Sequence, residues 1–220
     1  MDTIECIKNR RTIRCFQNRP ISYNDIEELV ASAILAPSAC NMQAWKFIAI
    51  DDPTVKIKLT ERGSALISKA PQGILVLYRN DLSYNRYLYK DHIQSAAAAI
   101  ENLLLVATEK DLAACWICNL DRPRKIKKLL NIPSNFDIIA YVALGYPEAD
   151  NSQLTLKHFG NEEAQKNHIR KYHLDQVLSY NTFVTVPGDC TMPKPLPGVG
   201  WRSRFLKFKF ALNHMFENHF

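Results

Sequence analysis

A cluster of arginines near the N-terminus is the first stretch of the chain whose residue types could do chemistry. Residues 9–20 read NRRTIRCFQNRP and place Arg10, Arg11 and Arg14 around Thr12, with apolar anchors on either side of Arg14. Arginine presents a fixed fork of donors that matches phosphate oxygens, and a threonine hydroxyl with backbone N–H groups can complete the cradle. The stretch could therefore bind a phosphate, although a solvated basic helix end has the same composition.

A second candidate is the loop at residues 36–45, APSACNMQAW, which precedes a β-rich run. Pro37 fixes a turn, and Ser38, Asn41 and Gln43 bring three hydrogen-bonding side chains into ten residues. Asn and Ser are also common in turns for local backbone reasons. Taken alone, the loop is equally typical of a ligand site and of ordinary turn chemistry.

Three tyrosines, Tyr84, Tyr87 and Tyr89, lie in the polar segment 79–90. Tyrosine rings can stack on planar ligands, which makes Tyr84 and Tyr87 candidate substrate residues. A surface loop that packs its own aromatic rings is the alternative interpretation.

Cys115 and Cys118 form a C-x-x-C pair, a spacing found in zinc sites and in dithiol switches. A zinc site would need a second pair of ligands at suitable spacing, and a dithiol switch normally opens a helix. Both cysteines fall in a predicted strand instead. We therefore expect buried thiols and predict no metal site.

The composition allows one large domain, or one domain with an appendage, because the chain has 220 residues of which 47% are hydrophobic. A net charge of +6 would suit an anionic cofactor, nucleic acid or an acidic membrane, but a bias of this size decides little. The N-terminus is too charged for a secretory signal, and no apolar stretch is long enough to span a bilayer. With six scattered cysteines, these features favour a cytoplasmic protein with reduced thiols.

Hydrophobic periodicity and capping residues predict five helices and four strands. We expect helices over residues 4–10, 23–35, 55–67, 91–109 and 123–130, and strands over 46–50, 73–78, 112–119 and 136–144. Thr3 and Ser22 are the expected caps of the first two helices. The helix at 91–109 is apolar nearly all round and should be central. The order α-α-β-α-β-α-β-α-β predicts an α+β protein with a layered sheet.

Four stretches together resemble successive motifs of the FMN-dependent nitroreductase family. They are RRTIRCF at 10–16, APSACNMQAWKF at 36–47, DHIQSAAAAIENLLLVATEKDLAACWI at 91–117, and LNIP with ALGYP at 130–147. They stand in the family's order, and the resemblance covers residues 3–181. It implies a nitroreductase-like layered α-β-α sandwich with a central, mostly antiparallel sheet, assembled as a homodimer of the domain-swapped type.

The same resemblance implies two FMN sites at the subunit interface, each built by both chains. The basic segment, RRTIRCF at residues 10–16, would hold the flavin phosphate and pyrimidine edge. The loop would come from the other subunit, and backbone N–H groups after the CW dipeptide would lie near flavin N5 and O4. The residues matched are, in that order, Arg10, Arg11, Thr12 and Arg14; Pro37, Ser38, Ala39 and Asn41; and Ile117 and Cys118. A late basic residue for the phosphate falls in HIRKYHL, residues 168–174, where Arg170 and Lys171 are both candidates.

The sequence departs from the family at the turn that follows the CW dipeptide. Relatives usually carry GLGxCWIGG, whereas residues 112–119 read LAACWICN. Cys118 and Asn119 replace glycines that let a backbone approach the ring closely. The expected cradle is therefore tighter or displaced.

The implied activity is that of an FMN-dependent oxidoreductase that uses NADH or NADPH to reduce an electron-poor small molecule, such as a nitroaromatic or quinone. In the expected ping-pong cycle, hydride reaches flavin N5 and then the acceptor, so we expect no catalytic side-chain acid or base. A fixed cation near flavin N1 and O2 would raise the reduction potential, and Arg14 and Arg10 are the candidates.

Other functions stay open. The lost glycines suggest a non-catalytic flavin-binding or storage protein, and the family also allows a specialised FMN-dependent dehydrogenase acting on a biosynthetic intermediate. The positive charge alone would suit a nucleic-acid module, but the sequence shows no recognition motif, so we expect no nucleic-acid partner.

The C-terminal part lies outside the resemblance. We expect residues 1–181 to form the FMN-binding domain, residues 182–200 a Pro/Gly-rich linker and residues 201–220 a basic amphipathic helix. That helix could pack on its own dimer, bind a partner or make peripheral contact with an anionic membrane.

Overall fold

Six α-helices and four β-strands form within residues 2–83 and 87–148, the part of the chain that the computed structural model describes. The helices are α1 Thr3–Asn9, α2 Tyr23–Ala33, α3 Pro53–Thr60, α4 Leu66–Lys69, α5 Asp91–Glu109 and α6 Pro123–Leu129. The strands are β1 Trp45–Ile50, β2 Gln72–Arg79, β3 Ala113–Ile117 and β4 Phe136–Gly145. Short 3-10 turns cover Ala39–Asn41 and Asn80–Leu82.

The four strands make one sheet in the order β1-β2-β4-β3, and every neighbouring pair is antiparallel. The register places Phe47 opposite Val76, and Trp116 opposite Val142. The expected antiparallel sheet is therefore confirmed. Among the strands of the described residues, β1 and β3 form its two edges.

Successive residues of β2 point to opposite faces of the sheet, as the two-residue period of a strand requires. Ile74 and Val76 belong to the core that includes residues of α2 and α5, whereas Leu75 and Leu77 belong to the core that includes residues of α3, α4 and α6. The α-β-α sandwich is thus confirmed. Helix α5 is central as expected, because its side chains Ala96, Ala99, Ile100 and Leu103 are fully buried.

The caps of the first two helices can be compared directly with the sequence. Ser22 caps α2, since its Oγ accepts from the backbone N–H of Asp25 at 3.1 Å, as predicted. The prediction of Thr3 as the cap of α1 is wrong: Asp2 precedes the helix and its Oδ1 accepts from Glu5 N at 2.9 Å.

The single helix expected over residues 55–67 is also wrong, because α3 and α4 are separate. The break falls at Gly63, where an added Cβ would lie 2.9 Å from the carbonyl oxygen of Leu59 and 3.1 Å from Asp121 N. The next residue, Ser64, donates its N–H to the carbonyl of Asn119 at 2.9 Å. A tertiary contact therefore takes a backbone donor that a continuous helix would use internally.

Across the described ranges, no helix combines the length and apolar content needed to cross a bilayer. The predicted linker 182–200 and the predicted helix 201–220 lie outside those ranges, so both stay predictions.

Candidate functional site

The arginine-rich segment follows α1 and runs beside the edge strand β3. Ile13 N donates to the carbonyl of Ala114 at 3.0 Å, and Gln17 N donates to that of Tyr146 at 2.9 Å. Between them, Phe16 is 8% exposed and forms a β-bridge with Pro147. The segment is thus anchored by its backbone and by the buried ring of Phe16, and its arginines lie next to the edge strand β3.

The three arginines make different contacts. Arg10 lies against α5, with Nε 3.4 Å from Oε1 of Glu101. The guanidinium of Arg11 donates to the carbonyls of Lys8 and Arg10 at the end of α1, and Arg11 and Thr12 are both exposed. Arg14 is half-buried beside Cys115 of β3. Because its neighbour Ile13 bonds Ala114, Arg14 lies next to β3, the strand that leads to Ile117.

The two cysteines of the C-x-x-C pair lie in different environments. Cys115 lies in β3 and is 3% exposed; burial raises the pKa of its thiol, and the positive charge of Arg14 opposes that shift. Cys118 follows the last residue of the strand and is exposed. The expectation that both thiols are buried in a strand is therefore wrong for Cys118, because β3 ends at Ile117.

The positions after the CW dipeptide divide between core and surface. The side chain of Ile117 is 5% exposed and packs in the core that includes α3 and α6 residues. Cys118 and Asn119, the two departures from the family pattern, are both exposed. Their side chains therefore lie at the surface beside β3 and not in the core.

The loop that contains Pro37, Ser38, Ala39 and Asn41 has an unusual backbone. Cys40, Asn41 and Gln43 all have left-handed φ values, of 50°, 54° and 46°. Asn tolerates this region, but for residues such as Cys40 and Gln43 it costs roughly 1–2 kcal/mol each, so their surroundings must hold them there. We call residues 37–43 the strained loop.

Hydrogen bonds hold the strained loop from inside and from outside. Ser38 Oγ accepts from Gln43 N at 3.0 Å, and Asn41 Oδ1 accepts from Gln43 Nε2 at 2.9 Å. Ala39 N donates to Oγ of Ser95 on α5 at 3.1 Å. These bonds organise the loop, and Pro37, Asn41 and Gln43 are exposed.

The basic segment and the strained loop reach α5 at different places. Arg10 meets α5 at Glu101, whereas Ala39 meets it at Ser95, six residues earlier. Six residues correspond to about 9 Å of helix rise and to roughly two thirds of a turn beyond one full turn. Within one chain, the two groups of candidate residues therefore approach this helix on different sides.

The remaining predicted residues are less informative. Tyr87 is 87% exposed, next to exposed Leu88 and Tyr89. Tyr84, Arg170 and Lys171 lie outside the described residues. These assignments stay predictions.

A buried polar cluster at the start of α5 was missed by the sequence reasoning. His92 is 6% exposed, with Nδ1 3.8 Å from Oδ1 of Asp91 and Nε2 3.6 Å from Oδ2 of Asp137. Ser83 Oγ bonds Asp91 Oδ1 and lies 3.4 Å from His92 Nδ1. The Asp-His dipeptide at the helix start was a usable signal, but its partner Asp137 is 45 positions away and no local pattern indicates it.

Comparisons with known proteins agree with this architecture. A family model described as the Nitroreductase family matches residues 7–85 and 60–146. A protein of Archaeoglobus fulgidus named "Putative NADH dehydrogenase/NAD(P)H nitroreductase" is 36% identical over 152 residues, which cover 66% of this chain and 86% of that protein.

Solved structures give the same result. A nitroreductase family protein from Clostridium difficile 630 has a TM-score of 0.68 and 25% identity, and the match covers 83% of this chain and 100% of that one. An FMN-dependent nitroreductase from Clostridium difficile R20291 has a TM-score of 0.63 at 21% identity, over 82% of this chain and 100% of that one. The family model spans more than half of the sequence, so this chain belongs to the nitroreductase family.

Proposed function

We propose that this protein is an FMN-dependent oxidoreductase that uses NADH or NADPH to reduce an electron-poor small molecule, such as a nitroaromatic or a quinone. Family membership supports the reaction class, and the names of the Archaeoglobus relative and of one Clostridium difficile structure support NAD(P)H and FMN. The observation that carries the proposal is the hydrogen bond from Ile13 N to Ala114 O, which brings the basic segment to the strand that leads to Ile117 and Cys118.

The donor set fits a phosphate-bearing cofactor. Arg11 and Thr12 are exposed at the end of α1, where a guanidinium and a hydroxyl can meet phosphate oxygens. Arg14 follows Ile13, which is bonded to β3, so it is our candidate for the cation near the pyrimidine edge. Bound FMN supplies the electron-transfer chemistry, and these residues bind and orient it.

Arg10 has a weaker claim to the same role. Its guanidinium pairs with Glu101, and both side chains are partly exposed. A carboxylate within 4 Å competes with a phosphate for the same donors. We therefore assign Arg10 a contribution to phosphate binding that Glu101 reduces.

The replacement of the family's glycines by Cys118 and Asn119 should affect access to the flavin ring more than the packing of the core. Because Cys118 and Asn119 are exposed, their side chains occupy surface space beside the backbone that would approach the ring. We expect FMN to bind with a narrower approach on that side. A flavin-binding protein without turnover is the alternative that this feature favours.

The strained loop supports a homodimer in which each FMN site uses two chains. In one chain, this loop and the basic segment approach α5 on different sides. The exposed apolar side chains Ile4, Ile7 and Ile93 would also be covered by a second copy. We propose that the strained loop of one chain completes the site that the partner's basic segment begins.

The absorbance spectrum of the full-length protein tests the proposed function. We expect the protein to contain FMN as purified or after FMN is added. When NADH or NADPH is then added without oxygen, the absorbance band of the oxidised flavin, at about 450 nm, should bleach. Protein that binds no added FMN would disprove the proposal. Protein that binds FMN but is not bleached by either nucleotide would support the storage alternative.

A further inference from the structure

The hydroxyl of Ser95 links the strained loop to helix α5. Its Oγ accepts from Ala39 N at 3.1 Å and donates to the carbonyl of Asp91 at 2.8 Å. Ser95 is 4% exposed, so neither bond is exchanged easily for a bond to water. The hydroxyl is used as donor and acceptor at once, which fixes its direction.

The helix turn that carries Ser95 packs against the sheet, where the ring of His92 lies next to that of Tyr78 on β2. Asp91 and His92 begin α5, and His92 Nε2 lies 3.6 Å from Oδ2 of Asp137 on β4. Asp137 Oδ1 also accepts from Asn80 Nδ2 at 2.9 Å. The acceptor that Ser95 offers to the loop therefore lies on a helix turn that contacts the sheet through His92.

The strained loop needs such a support. Three of the four residues that follow Ala39 have left-handed backbone conformations: Cys40, Asn41 and Gln43. Ser38 Oγ holds the far end by accepting from Gln43 N, but that bond lies within the loop. The bond from Ala39 N to Ser95 joins the loop to a regular element and so sets its position relative to the core.

We propose that Ser95 is a positioning residue for the FMN site: it holds Ala39 N and thereby keeps the strained loop in the backbone geometry that contacts the cofactor. This inference rests on the proposed function, in which the strained loop binds FMN. In this proposal the buried Ser95 acts through Ala39 and does not itself bind the cofactor. Its loss should release the loop while the sandwich stays folded.

A matched pair of variants tests this role in the full-length protein. Ser95→Ala removes the contact, and Ser32→Ala is the control, because Ser32 Oγ donates to the carbonyl of Glu28 at 2.8 Å with the same four-residue spacing on α2. The two readouts are the FMN dissociation constant, from quenching of flavin fluorescence, and amide exchange of the peptide 36–45 in protein without FMN. Ser95→Cys, which is close in size but a weak acceptor, provides a second variant that is less able to disturb folding.

We expect Ser95→Ala to weaken FMN binding about tenfold and to accelerate exchange at 36–45 by a similar factor, as loss of one hydrogen bond implies. Ser95→Cys should shift both in the same direction, and Ser32→Ala should stay within about twofold of wild type. Wild-type values in Ser95→Ala would overturn the inference, as would loss of folding in both Ser95 variants. If wild type binds no FMN but Ser95→Ala still accelerates exchange at 36–45, the proposed function fails while the contact with the loop stands.

Discussion

Arg10 of the basic segment pairs with Glu101 of the central helix, with 3.4 Å between Nε and Oε1. The pair places a carboxylate beside a residue that we assign to the FMN phosphate. It therefore lowers the positive charge available there.

Removal of that carboxylate should strengthen FMN binding. Glu101→Gln leaves the side-chain size nearly unchanged and frees the guanidinium of Arg10, so we expect FMN affinity to rise about two- to threefold, the scale of a partly exposed ion pair. Titration of the apoprotein with FMN at low and high salt measures the change. Glu109→Gln, the same substitution on the same helix, is the control and should leave affinity unchanged. An equal effect of the two variants would mean that net charge, and not Arg10, is responsible.

Loss of the cations themselves should have the opposite effect. Arg14→Ala should weaken FMN retention about tenfold or more, because a charge-assisted bond is lost, and should also lower the reduction potential of bound FMN. Arg10→Ala should weaken retention less, since Glu101 already engages that side chain. Flavin content after gel filtration and a spectroscopic redox titration give the two quantities.

A nearby arginine provides the control for these variants. Arg19 lies over the ring of Tyr146, 4.0 Å from its centroid, so Arg19→Ala removes one positive charge close to the same segment. We expect wild-type flavin content in this variant. Wild-type content in Arg10→Ala and Arg14→Ala as well would contradict the assignment of the basic segment to FMN.

Thiol labelling should separate the two cysteines of the C-x-x-C pair. Cys115 is buried, and burial raises the pKa of its thiol, so a smaller fraction is thiolate at pH 8. Cys118 and Cys40 are exposed. We expect iodoacetamide to modify Cys118 and Cys40 at least tenfold faster than Cys115, as read by peptide mass spectrometry, in line with the dependence of rate on thiolate and access.

Bound FMN gives this labelling experiment a second use. If the backbone at Ile117 and Cys118 lies against the ring, added FMN should slow the modification of Cys118. Cys6, buried in α1, is the internal reference that should not respond. Equal labelling of Cys118 with and without FMN would argue against contact at this position.

A buried phenol predicts how stability changes at high pH. Tyr141 is fully buried, its hydroxyl has no hydrogen-bond partner among the described residues, and burial raises the pKa of Tyr141. Folding favours the neutral form of Tyr141. Its contribution to the free energy of unfolding is therefore complete below about pH 10, the pKa of tyrosine in an unfolded chain, and is lost as pH rises further. Wild-type stability should fall above that pH.

The variant Tyr141→Phe removes both the unpaired hydroxyl and this titration. We expect it to be as stable as wild type or up to about 1 kcal/mol more stable at pH 7, because no hydrogen bond is lost. Urea unfolding at pH 7 and at pH 10.5 measures both effects. The stability of Tyr78→Phe, which changes another nearly fully buried tyrosine of the sheet, is measured at the same two pH values for comparison. A large loss of stability in Tyr141→Phe at pH 7 would show that the hydroxyl has a partner after all.

The sequence predicted regular elements well where the signal was local. Helix α5 has the predicted bounds, Asp91 to Glu109, because its apolar period and its flanking residues agree. The order of elements followed from the same local signals, apart from the break that separates α3 from α4. The layered fold could then be expected from that order and from the resemblance to a family.

What the sequence could not provide was contact between distant positions. The break at Gly63 depends on Asn119, and the clustering of His92 with Asp137 depends on the pairing of β4 with β2. Ser95 reads as one more small residue on a buried helix face until Ala39 is seen against it. The arginines could be identified by type, but their different partners could not.

The basic segment has a further consequence for the solubility of the protein. Among the described strands, β3 lies at an edge of the sheet, and an edge strand with free backbone groups can pair with another chain and start aggregation. Ile13 occupies one of those groups by bonding Ala114 O, and the charged arginines flank it. The residues that we assign to the cofactor therefore also shield this edge, so a nick or deletion within residues 10–17 should promote self-association of the chain as well as loss of flavin.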